Sequence, residues 1–543
     1  MLLLFTALFA CSGKDEGGDS AAPVDDRTPE QIWCDDNGFG VSHPWDAKGP
    51  YGSERWKVAE DFTVPTTDGT AWTLSEHWMG CETLLFVPDM ERSSEKDVPI
   101  TSPSDDHPDD FADLLAASPR NAHWFFVADD NNSDDAEAAA AATAEWLTST
   151  LGDLSKDDAA WWADHTHVVS GRARDLDNWL ADVLHNGIGE YGFAIDRAQT
   201  LRGVGSLSDI KRQDNSIPGW PFENNLAYAA YDAQHLELEA QTQAALDPSD
   251  LVIPGWQGEV ISQYADMPIA FPSAEDLQQY DRLLIDVDMR CPDRGEVEFN
   301  NCGAWDYIAN VFVDDGAGNF TEISRMITSY HRETHWIVDA SQMLPLLKGG
   351  KQNVRWSWAP KWNVQPTETW FSFRLGKTGA KERPTVASYL FSGGDFNSNY
   401  NVGRKPIDVS IPADAKKVEL YAIITGHGGD TTAHNCAEFC NTQHEFTVNG
   451  AVYTKEYPQA STQTGCATAM VAEQGTPNQW GTWWYGRGGW CPGQPVVPFV
   501  VDVTKDVEPG GTATVSYRGL YEGDTPDDGS GDIAMASWLV VYE

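Results

Sequence analysis

The nine cysteines are the residues whose spacing says most about chemistry. Cys11 stands apart near the amino terminus, and the other eight form an even set that an oxidising compartment would pair. Chain order suggests Cys34–Cys81, Cys291–Cys302, Cys436–Cys440 and Cys466–Cys491, although order is only a guide among many connectivities. The CxxxC at 436–440 could instead hold a metal, but no second Cys or His pair at zinc-finger spacing follows it, which favours a disulfide. Histidines give no stronger metal signal. The string His-Thr-His at 165–167 could contribute two ligands, yet two histidines alone in a strand are more often packing or surface residues. His331 and His335 sit four apart in what reads as a loop, and His427, His434 and His444 form no HxH. The expectation is therefore no metal and no cofactor.

A second set of phrases runs through the carboxyl-terminal half: RCPDRGEVEFNNCGAWDYIANVFV (290–313), ITSY (327–330), CAEFC (436–440), GRGGWCPG (486–493) and GSGDIAMASWLVVY (529–542). In this order, and with these cysteines, the region resembles the peptide-N-glycosidase F family. The resemblance implies two jelly rolls side by side, with a site at their interface. It also implies hydrolysis of the amide between asparagine and the first N-acetylglucosamine of an N-glycan. An amide is a poor electrophile with a poor leaving group, so such a site needs a carboxylate to activate water and a second acid to move protons. The family pattern puts these on Asp306, after Trp305, and on Glu438, between the paired cysteines, where a short closed loop would hold the side chain outward and rigid. Arg487 matches the arginine before GWC and could hold the sugar or developing charge. Trp305 and Trp490 would wall the chitobiose core or belong to interface core. His427, in ITGHGGD, stands where the family has a Trp and then a His. A third family carboxylate is missing: ungapped alignment from LLKGG puts Trp358 there, between Ser357 and Ala359, and Glu368 falls some ten residues late.

These residues need a scaffold, and composition allows one. Hydrophobic residues are 41 % and charged residues 22 % of 543, a globular balance long enough for several domains. Against 83 Asp and Glu stand 36 Lys and Arg, so the formal charge is −47, which repels phosphate backbones and argues against nucleic-acid partners. Residues 1–11 resemble a bacterial lipoprotein signal with Cys11 as the lipidated residue, and 12–33 read as an acidic tether. Membrane contact would then be through that anchor alone, on an exported outer-membrane or surface lipoprotein. Over 34–245, strands at 83–87, 123–127 and 167–170 alternate with helices at 136–151 and 176–184. A hairpin over 191–205 and an Ala-rich helix over 224–245 follow.

The phrases DFTVPTTDG and YGFAIDR resemble a thioredoxin-like redoxin domain. Its reactive cysteine is absent, because the loop after the first central strand reads Pro88-Asp89-Met90-Glu91-Arg92-Ser93 and Cys81 lies before the strand. The expected architecture is thus an α/β thioredoxin-like domain followed by two all-β jelly rolls, over 250–378 and 379–543. The leading function is a lipid-anchored, monomeric glycoamidase acting on N-glycoproteins or glycopeptides. Against it stands a non-catalytic glycan- or peptide-binding lipoprotein, favoured by the missing acid and an appended inert domain. Copper monooxygenase chemistry, suggested only by the fold of related jelly rolls, lacks its clustered His and Met ligands.

Overall fold

The period-two alternation over 250–543 folds into four antiparallel four-stranded sheets, paired as two sandwiches. In the first sandwich, one sheet runs Thr334–Asp339, Arg282–Arg290, Thr367–Gly376, Leu251–Ile261. The other runs Phe320–Ile327, Ile308–Asp314, Gly350–Ser357, Tyr264–Phe271. Along Arg282–Arg290 every second side chain is buried, so Leu283, Ile285, Val287 and Met289 face Val311, Val313, Val354 and Trp356 across the core. The second sandwich places Asp532–Tyr542 between Pro384–Asp395 and Lys417–His427, with Phe499–Asp502 at the edge. Its partner sheet runs Ile407–Ser410, Thr512–Tyr521, Thr442–Val448, Ala451–Glu456.

Lys417–His427 departs from alternation: its nine central residues are all buried. The reason is that its sheet has two covered faces. Val418, Leu420 and Ile424 pack into the second sandwich, while Tyr421 and Ile423, with Trp538 and Val540 of the neighbouring strand, complete the core of the first. Arg325, 3 % exposed, clamps the same junction: its Nη1 donates to Thr425 Oγ1 at 2.7 Å and to the Ala534 carbonyl at 2.6 Å, while Glu322 neutralises it.

This computed structural model describes residues 27–89, 112, 115, 118–128, 133–172, 175–185, 192–204, 226–293, 305–330, 332–428, 436–462, 465–466, 475–477, 479, 483, 485–526 and 531–543. Cys11, the proposed signal, most of the tether, Cys302, His331 and His434 lie outside them, as do residues 90–93 of the loop after the first central strand. The tether ends sooner than expected, because Thr28 caps a helix over Pro29–Asn37 that buries Cys34. Cys34–Cys81, Cys436–Cys440 and Cys466–Cys491 are disulfides, and Cys291 is disulfide-bonded too. No helix among the described residues is long and apolar enough to cross a membrane.

The amino-terminal region is an α/β unit with a five-stranded sheet in the order Thr166–Val168, Ala122–Ala128, Thr83–Asp89, Phe193–Ile195, Leu201–Gly203. The first three strands are parallel and the last two close as an antiparallel hairpin. Helices Ser133–Asp153, Lys156–His165, Trp179–His185 and Leu226–Ala244 accompany it. The reading of this region as appended does not survive. Its core is continuous with Tyr330, Trp483 and the Cys466–Cys491 disulfide of the carboxyl-terminal half, so the two parts share one apolar cluster. Trp56 donates to Glu333 at 2.7 Å and its ring lies 3.7 Å from the Arg290 guanidinium, tying the same surfaces together.

Candidate active site

Asp306 sits just before strand Ile308–Asp314, and Thr328 fixes it there. The Thr328 hydroxyl donates to the Trp305 carbonyl at 2.6 Å and accepts from the Tyr307 N–H at 2.7 Å. Glu438 is held by the disulfide around it and by backbone bonds on both sides. Its N–H donates to the Gly428 carbonyl at 3.1 Å, and its carbonyl accepts from Gly488 N–H at 2.6 Å. Glycine is required at this crossing: a Cβ on Gly426 would lie 1.9 Å from the Ala437 carbonyl oxygen. The GRGGWCPG and ITGHGGD strings can therefore approach the CAEFC loop closely enough to bring their side chains together.

The side chain between the acids is Arg487, fully buried. Its Nε donates to Glu438 Oε1 at 3.1 Å and its Nη2 lies 3.4 Å from Asp306 Oδ2. Nη1 donates to the Tyr485 carbonyl at 2.8 Å, which fixes the guanidinium plane. Glu438 Oε2 also accepts from Gly428 N–H at 2.9 Å, and Asp306 Oδ2 accepts the Tyr330 hydroxyl at 2.9 Å. Both acids keep some access to solvent, with side chains 16 % and 17 % exposed. Burial pushes both carboxyls above their ordinary range. Arg487 pulls against that shift at both, and the charge of Asp306 adds to it at Glu438. Two acids flanking one cation form a coupled pair in which a single proton can be held.

The aromatic candidates separate. Trp305 is 52 % exposed, with its ring edge-on to Tyr330 at 6.0 Å, and can meet a ligand. Trp490 is 2 % exposed and takes the core alternative: its indole N–H donates to the Gly426 carbonyl at 2.7 Å, and its ring packs on Arg487 and His427. His427 bonds the Thr425 hydroxyl at 2.7 Å, and burial, helped by the positive charges of Arg325 and Arg487, lowers its pKa to about 3. It braces Trp490 as a neutral ring. Trp358 is fully buried and donates to the Ile261 carbonyl at 3.1 Å. Glu368 accepts from Trp370 on its own strand at 3.0 Å.

Sequence reasoning missed the support behind these acids. Tyr330 closes the ITSY phrase, which carried the resemblance but not a role. Its backbone N–H donates to Gln479 at 2.8 Å, and two residues on, Arg332 reaches into the α/β unit. There it pairs with Asp232 at 2.8 Å and donates to the Gly203 carbonyl at 2.9 Å, both charged side chains being almost fully buried. Two histidine readings also change. His335 lies on strand Thr334–Asp339 rather than in a loop. Burial pushes it down, but Asp286 and Glu239 hold it up at about 10. His165 ends a helix, and His167 follows on a strand, so they are not alone: His123 and Glu82 lie against them.

Residues 395–540 match the family model described as Peptide-N-glycosidase F, C terminal. The second sandwich is thus similar to peptide-N-glycosidase F. Glu438 and Arg487 fall inside the match, and Asp306 precedes it. The peptide-N(4)-(N-acetyl-beta-D-glucosaminyl)asparagine amidase F of Elizabethkingia miricola is 24 % identical over 300 residues, covering 52 % of this chain and 79 % of that protein. Among solved structures, PNGase F from Flavobacterium meningosepticum aligns with TM-score 0.42 and 19 % identity, over 54 % of this chain and 96 % of that one. PNGF-II aligns with TM-score 0.41 and 13 % identity, over 56 % and 68 %.

Proposed function

We propose that the chain is a glycoamidase that hydrolyses the amide between asparagine and the proximal N-acetylglucosamine of N-glycans on glycoproteins or glycopeptides. The observation that carries the reading is the Asp306–Arg487–Glu438 array, in which one buried guanidinium spans two partly open carboxylates. With one positive charge between two acids, the neutral arrangement has one carboxylate ionised and one protonated. That is the state a water-activating base and a proton-donating acid need together. Asp306, oriented by the Tyr330 hydroxyl, carries the main step on the amide. Glu438, fixed by Arg487 and Gly428 N–H, assists through water or a sugar hydroxyl. Trp305 offers an aromatic face to the sugar. The test is incubation of the purified chain with a denatured N-glycoprotein, reading Asn-to-Asp conversion by mass spectrometry. No conversion would remove the proposal.

The α/β unit is read as thioredoxin-like without thiol chemistry, supported by its sheet order and by the disulfide that occupies Cys81. The assignment of 250–378 and 379–543 as two jelly rolls, the lipid anchor on Cys11 and the exported location belong to the same proposal. A non-catalytic glycan-binding function is the second reading, favoured by Trp358 in the place of an acid. Chitobiose binding without cleavage would select it.

A further inference from the structure

We propose that Glu82, His123 and His165 bind a single divalent transition-metal ion, with zinc the best match to the donor set, at the amino ends of three adjacent parallel strands. Glu82 directly precedes Thr83–Asp89, His123 is the second residue of Ala122–Ala128, and His165 ends helix Lys156–His165 directly before Thr166–Val168. Pairing in parallel register brings all three to one edge of the sheet. They come from segments about forty residues apart in sequence, so only the fold assembles them.

The geometry is that of ligands around a common centre. Glu82 Oε1 lies 3.2 Å from His123 Nε2 and 3.2 Å from His165 Nε2, and the three atoms all lie within 4.8 Å of one another. Donors about 2.0–2.1 Å from a tetrahedral ion stand roughly 3.3 Å apart, close to the two Glu82–imidazole separations. Glu82 Oε1 is nevertheless a buried oxygen with no aligned hydrogen-bond donor. A buried carboxylate oxygen left in this way is costly unless a cation completes it.

The outer partners set the imidazoles for ligation. His165 Nδ1 lies 2.7 Å from the Trp161 carbonyl, which can only accept, so the proton sits on Nδ1 and Nε2 offers its lone pair. His123 Nδ1 lies 3.0 Å from His167 Nε2, and donation in that direction frees His123 Nε2 likewise. The three residues are 5 %, 8 % and 6 % exposed. Beside Glu82 and His123 lies a small cavity of about 10 Å³, lined also by His77 and Met79, with room for one water as a fourth ligand. The ion would staple three strands of the α/β unit. The inference does not depend on the glycoamidase reading.

The test uses the full, disulfide-intact chain stripped with a chelator and titrated with Co²⁺ as a spectroscopic probe, then with Zn²⁺. Expected are visible d–d bands saturating at one Co²⁺ per chain, without thiolate charge-transfer bands, and a thermal midpoint raised by Zn²⁺. His123→Gln and His165→Gln should each weaken Co²⁺ binding at least ~100-fold, at the upper end of what lost metal-site partners cost, while His43→Gln, at an exposed histidine outside the cluster, leaves it unchanged. Absence of Co²⁺ bands and of any zinc-dependent midpoint shift in the wild type would overturn the proposal. So would bands that persist at unchanged affinity in the double variant. If both glutamine variants fail to fold, the wild-type spectrum and stoichiometry still decide.

Discussion

Two buried clusters in this chain set carboxylates against positive or positively chargeable groups, in opposite ratios. In the sandwiches, one guanidinium serves two acids, at 3.1 and 3.4 Å. In the α/β unit, two imidazoles serve one acid, each at 3.2 Å. Burial raises every one of these carboxyls, yet the outcomes diverge. Asp306 and Glu438 end above their ordinary range, whereas His123 and His165 pull Glu82 down to about 2 against its desolvation. The neighbours, and not burial alone, set the direction in which a buried acid is shifted. The first arrangement suits proton traffic.

The comparison is broken most severely at its shared cation. Arg487→Met leaves two acids facing each other without a counter-charge. It should remove detectable cleavage and lower stability by about 3–5 kcal/mol, as for other broken buried pairs, read by urea unfolding. Asp306→Asn should cut turnover by about 10²–10⁴-fold with the fold retained, read by glycopeptide kinetics beside circular dichroism. The same variant sharpens the pH argument. A carboxyl whose folded pKa is raised contributes stability that is fully present below its unfolded pKa, near 3.9, and lost as pH rises through the folded value. Asp306 should therefore contribute stability on moving from pH 7 towards pH 4, so that the stability difference between wild type and Asp306→Asn grows in favour of wild type over that window.

Arg332→Met tests whether the α/β unit supports the sandwich site. Loss of the Asp232 pair should displace Tyr330 and cost up to about 10²-fold in kcat, as for a 1 Å misplacement. An unchanged kcat would make the shared core merely structural. The smallest effect is expected at Trp305→Ala: a higher KM with stability within about 0.5 kcal/mol, because the ring is half exposed. Trp490→Ala should do the reverse, losing about 3–5 kcal/mol through the cavity left behind. Trp358→Glu, the obvious attempt to restore the third acid, should unfold the first sandwich, since its ring is buried without open space.

What was legible in the sequence was what lies contiguous in it. The strands were found because period two survives wherever one face is buried, as along Arg282–Arg290. CAEFC and GRGGWCPG announced Glu438 and Arg487 because disulfide and glycine constraints act over a few residues. Tyr330 was hidden because a single tyrosine hydroxyl has no local signature, and Arg332–Asp232 because an ion pair 100 positions apart has none either. The cluster at Glu82 failed for the same reason: His-Thr-His reads as two residues, and the parallel register that adds the others appears only in three dimensions.

Strand order in the second sandwich has a consequence for how the chain acquires its shape. Asp532–Tyr542 is the last of these strands to leave the ribosome, yet it lies centrally, paired on one side with Pro384–Asp395 and on the other with Lys417–His427. Pro384–Asp395 has no partner strand until that segment emerges, and Lys417–His427 has only Phe499–Asp502, so the CAEFC loop waits, already synthesised, on an unfinished sheet. The second sandwich therefore stays open until the end of synthesis, and a premature stop between Ala244 and Asp532 leaves it without its central strand.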